Sequence, residues 1–564
     1  MKLSRRDVLK LSGLAAVGGA GLAIPLGHGV SGSSASLLPS KNMPIPYTNV
    51  FSRLPVLPKS MTAEHPTGTD AYPADGMGPI DYYDIAALPG SARLVPGFPA
   101  TPLLGYEGMI PARRVDVDTG TRIVMRMHNK LHLTDIGLNS PLNLSTHLHG
   151  SASLPQYDGY AADLTMPGQV KTYHYPNVQT ARTLWYHDHG AHWTGQNVYS
   201  GLASQYHLHD AMERALLPQG EFDVGLIISD MMFQANASLL FDDRTHAGLW
   251  GDVILVNGKP WPVMKVKKRI YRFRVLDASI SRSYRFTTSP QAPLRVVATD
   301  AGLMPRSQEV TQWRHGTAER YEILIDFSGF RAGQRIELQN LSNPNNRDFN
   351  NTNKVMAFDV VDDQFDTNDP GARVMPEVLN YSNDCMALQE TPGMKVRTIR
   401  VEHDDTTNTW SLNGMTWDEI VTSGYRKVIA NPGLGDTEIW EIQNNSGGWF
   451  HPVHIHLIDF KVLSRNGKPP FPWELGPKDV IYAGEGERVR LIMKFGSRVP
   501  GDPFGVQVGK YMVHCHNLVH EDHDMMSQFS VGLPADPTGT MVQAGYVDRN
   551  DPVTADPAVT DPAL

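Results

Sequence analysis

The sequence predicts an all-β protein made of three related antiparallel β-sandwich domains with Greek-key connections. Its 50 glycines and 41 prolines suit strands joined by turns better than helices. Three segments repeat one pattern, an alternating apolar strand followed by a polar bend, at intervals of about 150–170 residues. They cover residues 122–129, 271–277 and 439–444. Such alternation buries one side of each strand in a core.

Changes in composition set the expected domain boundaries. The chain has 564 residues, enough for about three or four domains of ordinary size. Turn-forming polar segments separate the repeats, and the end of the chain is rich in Pro, Asp and Thr with little to bury. The expected units are an export signal (1–35), three β-domains (36–220, 221–365 and 396–535), a linker (366–395) and a disordered tail (536–564).

The N-terminus predicts export. Ser4-Arg5-Arg6-Asp7-Val8-Leu9-Lys10 is a twin-arginine pattern, followed by a weakly apolar run from Leu11 to Leu26. The alternative, a membrane anchor, is disfavoured because the run is short and rich in Gly and Ala. We expect cleavage after about Ala35, delivery to the periplasm or outside the cell by the twin-arginine route, and no membrane insertion afterwards.

Charge and cysteine content narrow the function classes. The net charge of -9 is mild and no basic run appears, which argues against nucleic acid as a partner. The two cysteines, Cys385 and Cys515, are free to form a disulfide in an exported protein. The surroundings of Cys515 indicate another role, which leaves Cys385 as a lone buried thiol.

Paired histidines are far too frequent for chance. The chain has 22 histidines, and chance would place roughly one His-x-His pair in this length. Two residues apart on a strand, both imidazoles point to one side, as shared metal ligands require. Single pairs are often ordinary surface or core histidines, but four of the five pairs lie in denser clusters. The clustered pairs are His147/His149, His187/His189, His454/His456 and His514/His516; the isolated pair, His207/His209, is assigned to chance.

The residues around Cys515 indicate copper. Zinc favours closed sites with several cysteines or a His/carboxylate set, whereas one thiolate, two imidazoles and a distant thioether form an electron-transferring blue-copper site. His520 follows Cys515 by five residues, and Met525 follows after five more. His451 is the natural second imidazole. Met526 would point to the other side of an extended chain, and either methionine could instead be core filler.

The remaining histidines exceed the needs of one metal ion. Two ligands for one copper and three for each of two more would use all eight members of the four clustered pairs. Such a cluster can hold O2 and deliver several electrons to it. Cys515 faces one way while His514 and His516 face the other, so the strand itself would link the two centres.

These motifs resemble those of the multicopper oxidase family, with bilirubin oxidases and spore-coat laccases as the nearest groups. Three segments carry the resemblance, 181–189, 445–456 and 511–526, the last reading YMVHCHNLVHEDHDMM. The resemblance implies cupredoxin-like domains, the third with the type 1 copper, and four copper ions in all. It implies these ligands: His451, Cys515, His520 and axial Met525 for type 1; His147 and His454 for type 2; His149, His187 and His516 for one type 3 copper; and His189, His456 and His514 for the other.

Two acids occupy positions where the family places proton donors to the oxygen site. They are Asp158 and Glu521, and each could instead orient a ligand histidine. We expect donors to give electrons through an exposed edge of His451 or His520, with Trp449 either flanking that site or serving as core. Asp522 and His523 are expected to be structural.

The predicted function is an oxidase that couples four one-electron oxidations to the reduction of O2 to two waters. Phenols, aromatic amines and tetrapyrroles such as bilirubin are the expected donors, and the protein is expected to be a monomer. The main alternative is a Cu(I) metallo-oxidase for copper tolerance, although the methionines between the second and third domains are scattered rather than clustered. A non-enzymatic copper-storage protein is the third hypothesis, and it predicts no O2 uptake.

Overall fold

A computed structural model describes residues 35–60, 79–132, 142–379, 384–496 and 507–561. The expected export signal therefore lies outside the described residues, apart from Ala35. Within the described parts of the chain, strands form six sheets, two for each of three domains. The α-helices there are short: α1 (Thr194–Ser200), α2 (Ala211–Leu216), α3 (Asp384–Ala387), α4 (Trp417–Thr422) and α5 (Leu518–Asp522). No helix among these residues is long and apolar enough to cross a membrane.

The first domain contains two sheets around one core. Its strands are β2 (Ile80–Ala92), β3 (Thr101–Tyr106), β4 (Val115–Asp118), β5 (Arg122–Asn129), β6 (Thr146–His149), β7 (Gln169–Tyr175), β8 (Arg182–Asp188) and β9 (Ala203–His209). One sheet has the order β3-β2-β5-β7, and the other β4-β9-β8-β6. Apolar side chains from both sheets, among them Met125, Tyr173 and Leu184, form a single buried cluster between them.

The second domain is the largest of the three. It begins with β1 (Asn49–Val50), which precedes the first domain in the chain. The other strands are β10 (Asp223–Met231), β11 (Val253–Val256), β12 (Lys259–Pro260), β13 (Pro262–Lys267), β14 (Ile270–Asp277), β15 (Tyr284–Ser289), β16 (Leu294–Thr299), β17 (Gly302–Glu309), β18 (Gln312–His315), β19 (Arg320–Asp326), β20 (Arg335–Asn340) and β21 (Lys354–Val361). They form sheets of order β1-β13-β21-β20-β15-β18 and β12-β11-β10-β14-β19-β16-β17.

The third domain repeats the plan of the first. Its strands are β22 (Val396–Asp404), β23 (Thr409–Leu412), β24 (Thr437–Asn444), β25 (His451–Ile455), β26 (Phe460–Arg465), β27 (Val480–Ala483), β28 (Arg488–Lys494), β29 (Gly509–Cys515) and β30 (Met526–Val531). Its sheets have the orders β23-β22-β24-β28-β26 and β27-β25-β29-β30. Cys515 and Met525 belong to the apolar core between these sheets.

The three repeated segments predicted from sequence are equivalent strands. They are β5, β14 and β24, and each pairs in parallel with the first strand of its own sheet, β2, β10 or β22. The expectation of purely antiparallel sheets is therefore wrong, and the sheets are mixed. Between the paired strands in the first domain, the chain crosses to the other sheet through β4, so it returns in the same direction.

The end of the chain, as far as Asp561, packs against the folded domains, so the expectation of a disordered tail is wrong there. A short last strand, β31 (Val559–Thr560), pairs antiparallel with β7 at the edge of the first domain. Lys171 donates to the backbone oxygen of Asp556, and Lys510 lies 2.8 Å from Asp551. Composition predicted disorder because the segment has little to bury, but hydrogen bonds and ion pairs to the folded domains hold it instead.

Candidate metal centre

Two strands of the first domain bring the first histidine pairs together. β6 and β8 pair antiparallel, with His147 opposite His187. Since side chains two apart on a strand point the same way, His147 and His149 face one side, and His187 and His189 join them there. All four are fully buried.

The third domain supplies the other four histidines of the cluster. β25 and β29 pair antiparallel, with His454 opposite His514 and Val453 opposite Cys515. His456 and His516 follow directly after these strands. These four histidines are also buried, so the eight imidazoles meet at the junction of the first and third domains.

The ring nitrogens of these histidines converge within contact distance. His147 Nε2 lies 3.4 Å from His454 Nε2, and His514 Nε2 lies 3.1 Å from both His189 Nε2 and His456 Nε2. The rings of His149, His187 and His516 have centroids 5.1–5.8 Å apart. These contacts bring together the members of the predicted type 2 pair and of each predicted type 3 trio.

The other ring nitrogen of most of these histidines is held by an acceptor. His454 donates from Nδ1 to the backbone oxygen of Asp479 at 2.8 Å, and His187 from Nδ1 to that of Asp188 at 2.7 Å. His147 Nδ1 contacts the backbone oxygen of Asp158. Each of these contacts leaves Nε2 with its lone pair facing the shared space. Metal-binding histidines are oriented in this way.

Burial favours the neutral form of His147, His187 and His189. Loss of solvation lowers the pKa of His187 to about 3 and that of His189 to about 4, and it lowers the pKa of His147 well below its usual value. Facing neutral nitrogens repel one another unless a cation lies between them. Nε2 of His187 and both ring nitrogens of His516 have no hydrogen-bond partner among the described residues. The donor set therefore fits bound cations.

Both predicted acids lie beside this cluster. Asp158 accepts from His456 Nδ1 through Oδ2 at 2.7 Å. Glu521 Oε2 lies 2.8 Å from His514 Nδ1, and Oε1 lies 3.7 Å from His189 Nε2. Burial raises the pKa of Asp158 well above its usual value. For Glu521, burial acts in the same direction, but His514 and His189 outweigh it and hold its pKa at about 2.

Asp479 is a site residue that sequence reasoning missed. Its backbone oxygen accepts from His454, and its carboxylate Oδ1 lies 3.2 Å from His149 Nε2. That contact leaves Nδ1 of His149 as the nitrogen for a metal. Asp479 is itself held by Arg320 at 2.7 Å. Nothing in the local sequence marks it, because its role depends on long-range packing.

A second cluster lies on the other side of β29. His451 Nδ1 lies 3.4 Å from Cys515 Sγ and 3.2 Å from His520 Nδ1, and Cys515 Sγ lies 3.8 Å from His520 Nδ1. The Nε2 atoms face Ser446 Oγ at 2.8 Å and the backbone oxygen of Ala247 at 2.9 Å. Both Nδ1 lone pairs therefore point toward the sulfur. Two imidazoles and one thiol here form the predicted blue-copper set.

The methionines separate as expected. Met525 is fully buried in the same core as Cys515, whereas Met526 packs into a different cluster with Tyr160 and Trp417. On β29, Cys515 faces the second cluster while His514 faces the first, and His516, directly after the strand, also lies in the first. The expected link through adjacent residues is therefore present.

The expectation of an exposed histidine edge is wrong. His451 and His520 are both 0% exposed, because aromatic side chains cover them. Trp410, which the sequence did not single out, stacks on His520 with centroids 3.9 Å apart and an angle of 28°. Trp449 is half-buried and meets His520 edge-on at 5.8 Å. Both tryptophans therefore lie beside the second cluster.

Three histidines lie around Trp410. Its indole N–H donates to the backbone oxygen of His246 at 2.7 Å, and its ring is 4.2 Å from that of His403. His523 stacks on His246 at 3.5 Å. Asp522 accepts from the backbone N–H groups of Thr194 and Gly195 at the start of α1. Asp522 and His523 thus make structural contacts, as expected.

The other cysteine also matches its prediction. Cys385 is buried on α3 and forms no disulfide. Burial raises the pKa of its thiol well above its usual value, which favours the neutral form.

Comparison with known proteins gives one consistent result. Two multicopper oxidase family profiles match residues 92–213 and 390–534. A bilirubin oxidase from Albifimbria verrucaria is 38% identical over 501 residues, covering 86% of this chain and 81% of the relative. A laccase from Bacillus subtilis is 31% identical over 514 residues, covering 80% and 94%. The crystal structure of a laccase from Pediococcus acidilactici superposes with a TM-score of 0.72 at 25% identity, covering 88% and 95%.

Proposed function

The chain belongs to the multicopper oxidase family, and from that premise we propose that it oxidises small phenols, aromatic amines or tetrapyrroles with O2 as acceptor. Enzymes of this family are oxidoreductases that use O2, and the histidine clusters match their type 1 and trinuclear copper sites. The donor class is the part that goes beyond the family.

The ring contacts of the histidines and the core that Met525 shares with Cys515 support a ligand assignment. When bound, copper at the type 1 position accepts single electrons, and the trinuclear copper delivers four of them to O2. We assign four residues to hold the type 1 copper, two the type 2 copper and three each of the type 3 ions. They would be His451, Cys515, His520 and Met525; His147 and His454; His149, His187 and His516; and His189, His456 and His514.

The observation that carries the proposal is the position of Cys515 between His514 and His516. Its thiol lies 3.4 Å from His451 Nδ1, while His514 Nε2 lies 3.1 Å from His189 and His456. Only covalent bonds within β29 separate the two clusters. Such a connection suits a protein that takes electrons at one centre and uses them at another.

The aromatic cover of the second cluster supports small organic donors. Trp410 and Trp449 lie against the imidazole of His520. Trp410 is buried and Trp449 is half-buried, so a planar donor would stack on Trp449 and reach the cluster through rings in contact, with no bond to form or break. The bilirubin oxidase relative is named for an organic donor, which favours the same class here.

Protons for water formation would come through the two buried acids. Asp158 touches His456, and Glu521 touches His514, so each stands directly behind a proposed type 3 ligand. Each electron delivered to O2 requires one proton to form water. The sequence predicts only these two carboxylates as proton donors. We assign Asp158 and Glu521 to proton delivery, together with orientation of these rings.

The twin-arginine pattern at Arg5 and Arg6 supports export as part of the proposal. Replacing both arginines with lysines should leave the protein in the cytoplasm of an expressing cell. Fractionation with a cytoplasmic marker measures this, and unchanged export would contradict the assignment.

Oxygen consumption by the copper-loaded protein tests the donor class. A phenol, an aromatic amine, bilirubin and Cu(I) are compared at equal concentration, with O2 uptake and peroxide measured. We expect uptake with the organic donors at four electrons per O2 and without peroxide. Faster turnover with Cu(I) alone would favour the metallo-oxidase, and no uptake by fully loaded protein would exclude an oxidase.

A cysteine variant tests the link between the clusters. Cys515→Ser should abolish the blue absorption and donor-driven O2 uptake, because serine offers no thiolate to copper. Cys385→Ser is the matched control and should keep both. A Cys515→Ser protein that stays blue and active would overturn the proposal.

A further inference from the structure

The histidine pair that the sequence assigned to chance has a defined setting. His207 and His209 lie on β9, which pairs in parallel with β4, so that Asp116 is opposite His207 and Asp118 is opposite His209. Asp116, His207 and His209 each offer a ligand atom, and these atoms all lie within 4.8 Å of one another. This triad is separate from both clusters described above.

The ring orientation of His207 is fixed by its neighbour. The amide of Gln205 donates to the backbone oxygens of Leu226 and Arg274 at 3.1 Å and 2.9 Å. Its oxygen is therefore an acceptor, and it lies 2.9 Å from His207 Nε2. His207 thus carries its proton on Nε2. Its Nδ1 lone pair faces Asp116 Oδ1 at 3.6 Å. The same carboxylate accepts from Arg114, from Nε at 2.8 Å and from Nη2 at 2.9 Å. A metal ion beside Oδ1 would be shared by the carboxylate and the imidazole.

His209 is held through Nδ1, whereas His207 is held through Nε2. Nδ1 of His209 lies 3.3 Å from the carboxylate of Glu213 and 3.4 Å from Nη2 of Arg274, so Nε2 is the nitrogen left for a ligand. An imidazole that gives one nitrogen to an acceptor and presents the other is the usual form of a metal-bound histidine. Burial, reinforced by Arg274, lowers the pKa of His207 well below its usual value and keeps it neutral.

The charges around the triad favour the binding of a cation. Arg272 and Arg274 lie behind the histidines and are compensated by three carboxylates, those of Glu213, Asp223 and Glu322. Arg114 pairs with Asp116 itself, so three guanidinium ions face four carboxylates and one net negative charge remains. A cavity of about 340 Å³ opens onto Asp116, His207 and His209. Asp116 remains 29% exposed, so an ion in this cavity can reach it from solvent.

We propose that Asp116, His207 and His209 bind one divalent transition-metal cation, in addition to the copper ions of the oxidase centres. Imidazole and carboxylate ligands together suit Zn²⁺ and Cu²⁺. Cu²⁺ is expected to bind more tightly than Zn²⁺, following the general affinity order of these ions. Water from the cavity completes the coordination.

Zinc binding to the copper-loaded enzyme tests the site. The protein, loaded with four copper ions per chain so that this site receives none, is dialysed against micromolar Zn²⁺, and zinc and copper per chain are measured by mass spectrometry. We expect one zinc per chain with copper unchanged, and loss of that zinc in His207→Gln and in His209→Gln. His132→Gln, which removes an exposed histidine elsewhere, should bind as the wild type does.

The blue absorption of each variant reports whether it folds and keeps its type 1 copper. Asp116→Asn provides a second test that leaves both imidazoles in place, and it should weaken zinc binding without abolishing it. Equal zinc in the wild type and in folded His207→Gln, or no zinc in either, would overturn the proposal.

Discussion

At the residue scale, two aspartates perform the same task from different domains. Asp158 contacts His147 through its backbone oxygen and His456 through its carboxylate. Asp479 contacts His454 through its backbone oxygen and His149 through its carboxylate. Each aspartate therefore orients one imidazole of its own domain and one from across the junction, which fixes the geometry of the cluster.

Asp158→Asn separates orientation from proton delivery. The amide oxygen can still accept from His456, so copper content should be retained, but the group can no longer exchange a proton. We expect O2 reduction to fall by about 10–100-fold and its pH profile to change. Asp158→Ala should lose copper as well. Wild-type rates and an unchanged pH profile in Asp158→Asn would show that the acid only orients.

Trp410→Phe tests the aromatic cover of the second cluster. Phenylalanine keeps a ring near His520 but loses the indole N–H bond to His246 and part of the stacked area. We expect slower reduction of the blue absorption by an organic donor, and a stability loss of about 1 kcal/mol. Stopped-flow reduction and reoxidation by O2 are measured separately, with Trp473→Phe, which packs against the core of the second domain, as control. Equal reduction rates in wild type and Trp410→Phe would contradict this role.

At the element scale, the last strand depends on charges rather than on apolar burial. β31 adds to the edge of the first sheet, although Val559 is 58% exposed. Next to it, Asp561 lies 2.7 Å from His128 Nδ1. The hydrogen bond to Asp84, followed by that to Asp561, raises the pKa of His128 above its usual value despite partial burial. The docking of β31 is therefore coupled to the protonation of His128.

The sign of that linkage predicts a pH dependence. The folded-state pKa of His128 lies above the unfolded value of about 6.5, so its contribution is complete below about pH 6.5 and is lost as pH rises through the folded value. Asp84, whose pKa is about 2, stays ionised throughout. Amide exchange near Thr560, corrected for intrinsic rate, should show less protection at high pH. His128→Gln should remove the dependence, and a pH-independent wild type would contradict it.

At the scale of the whole molecule, one guanidinium joins the three domains. Arg320 on β19 of the second domain is fully buried. It donates to the backbone oxygen of Thr183 in the first domain at 2.9 Å and to Asp479 in the third at 2.7 Å. Since Asp479 orients two of the eight imidazoles, the second domain supports the cluster without contributing a ligand to it.

Arg320→Met should therefore weaken the whole assembly. It leaves the carboxylate of Asp479 buried without its partner, which costs about 3–5 kcal/mol. The unfolding midpoint and the copper content should both fall. Arg335→Met removes a half-exposed pair with Asp359 and should cost at most about 1 kcal/mol. Equal midpoints for the two variants would contradict the role of Arg320.

The sequence by itself determined the repeated strands and the nature of the metal site. Strand alternation depends on neighbours in the chain, so β5, β14 and β24 could be predicted from periodicity. The histidine pairs and the Cys515 motif could also be recognised from the sequence, because one strand presents alternate residues to the same side.

Only the tertiary structure decided which groups complete the site. Asp479, Arg320 and Trp410 act on histidines far away in the chain, and His207 acquires a partner in Asp116 only when β9 pairs with β4. The docked tail and the buried edges of His451 and His520 were mispredicted for the same reason. Burial and long-range partners arise from packing between domains, and no local spacing in the chain encodes them.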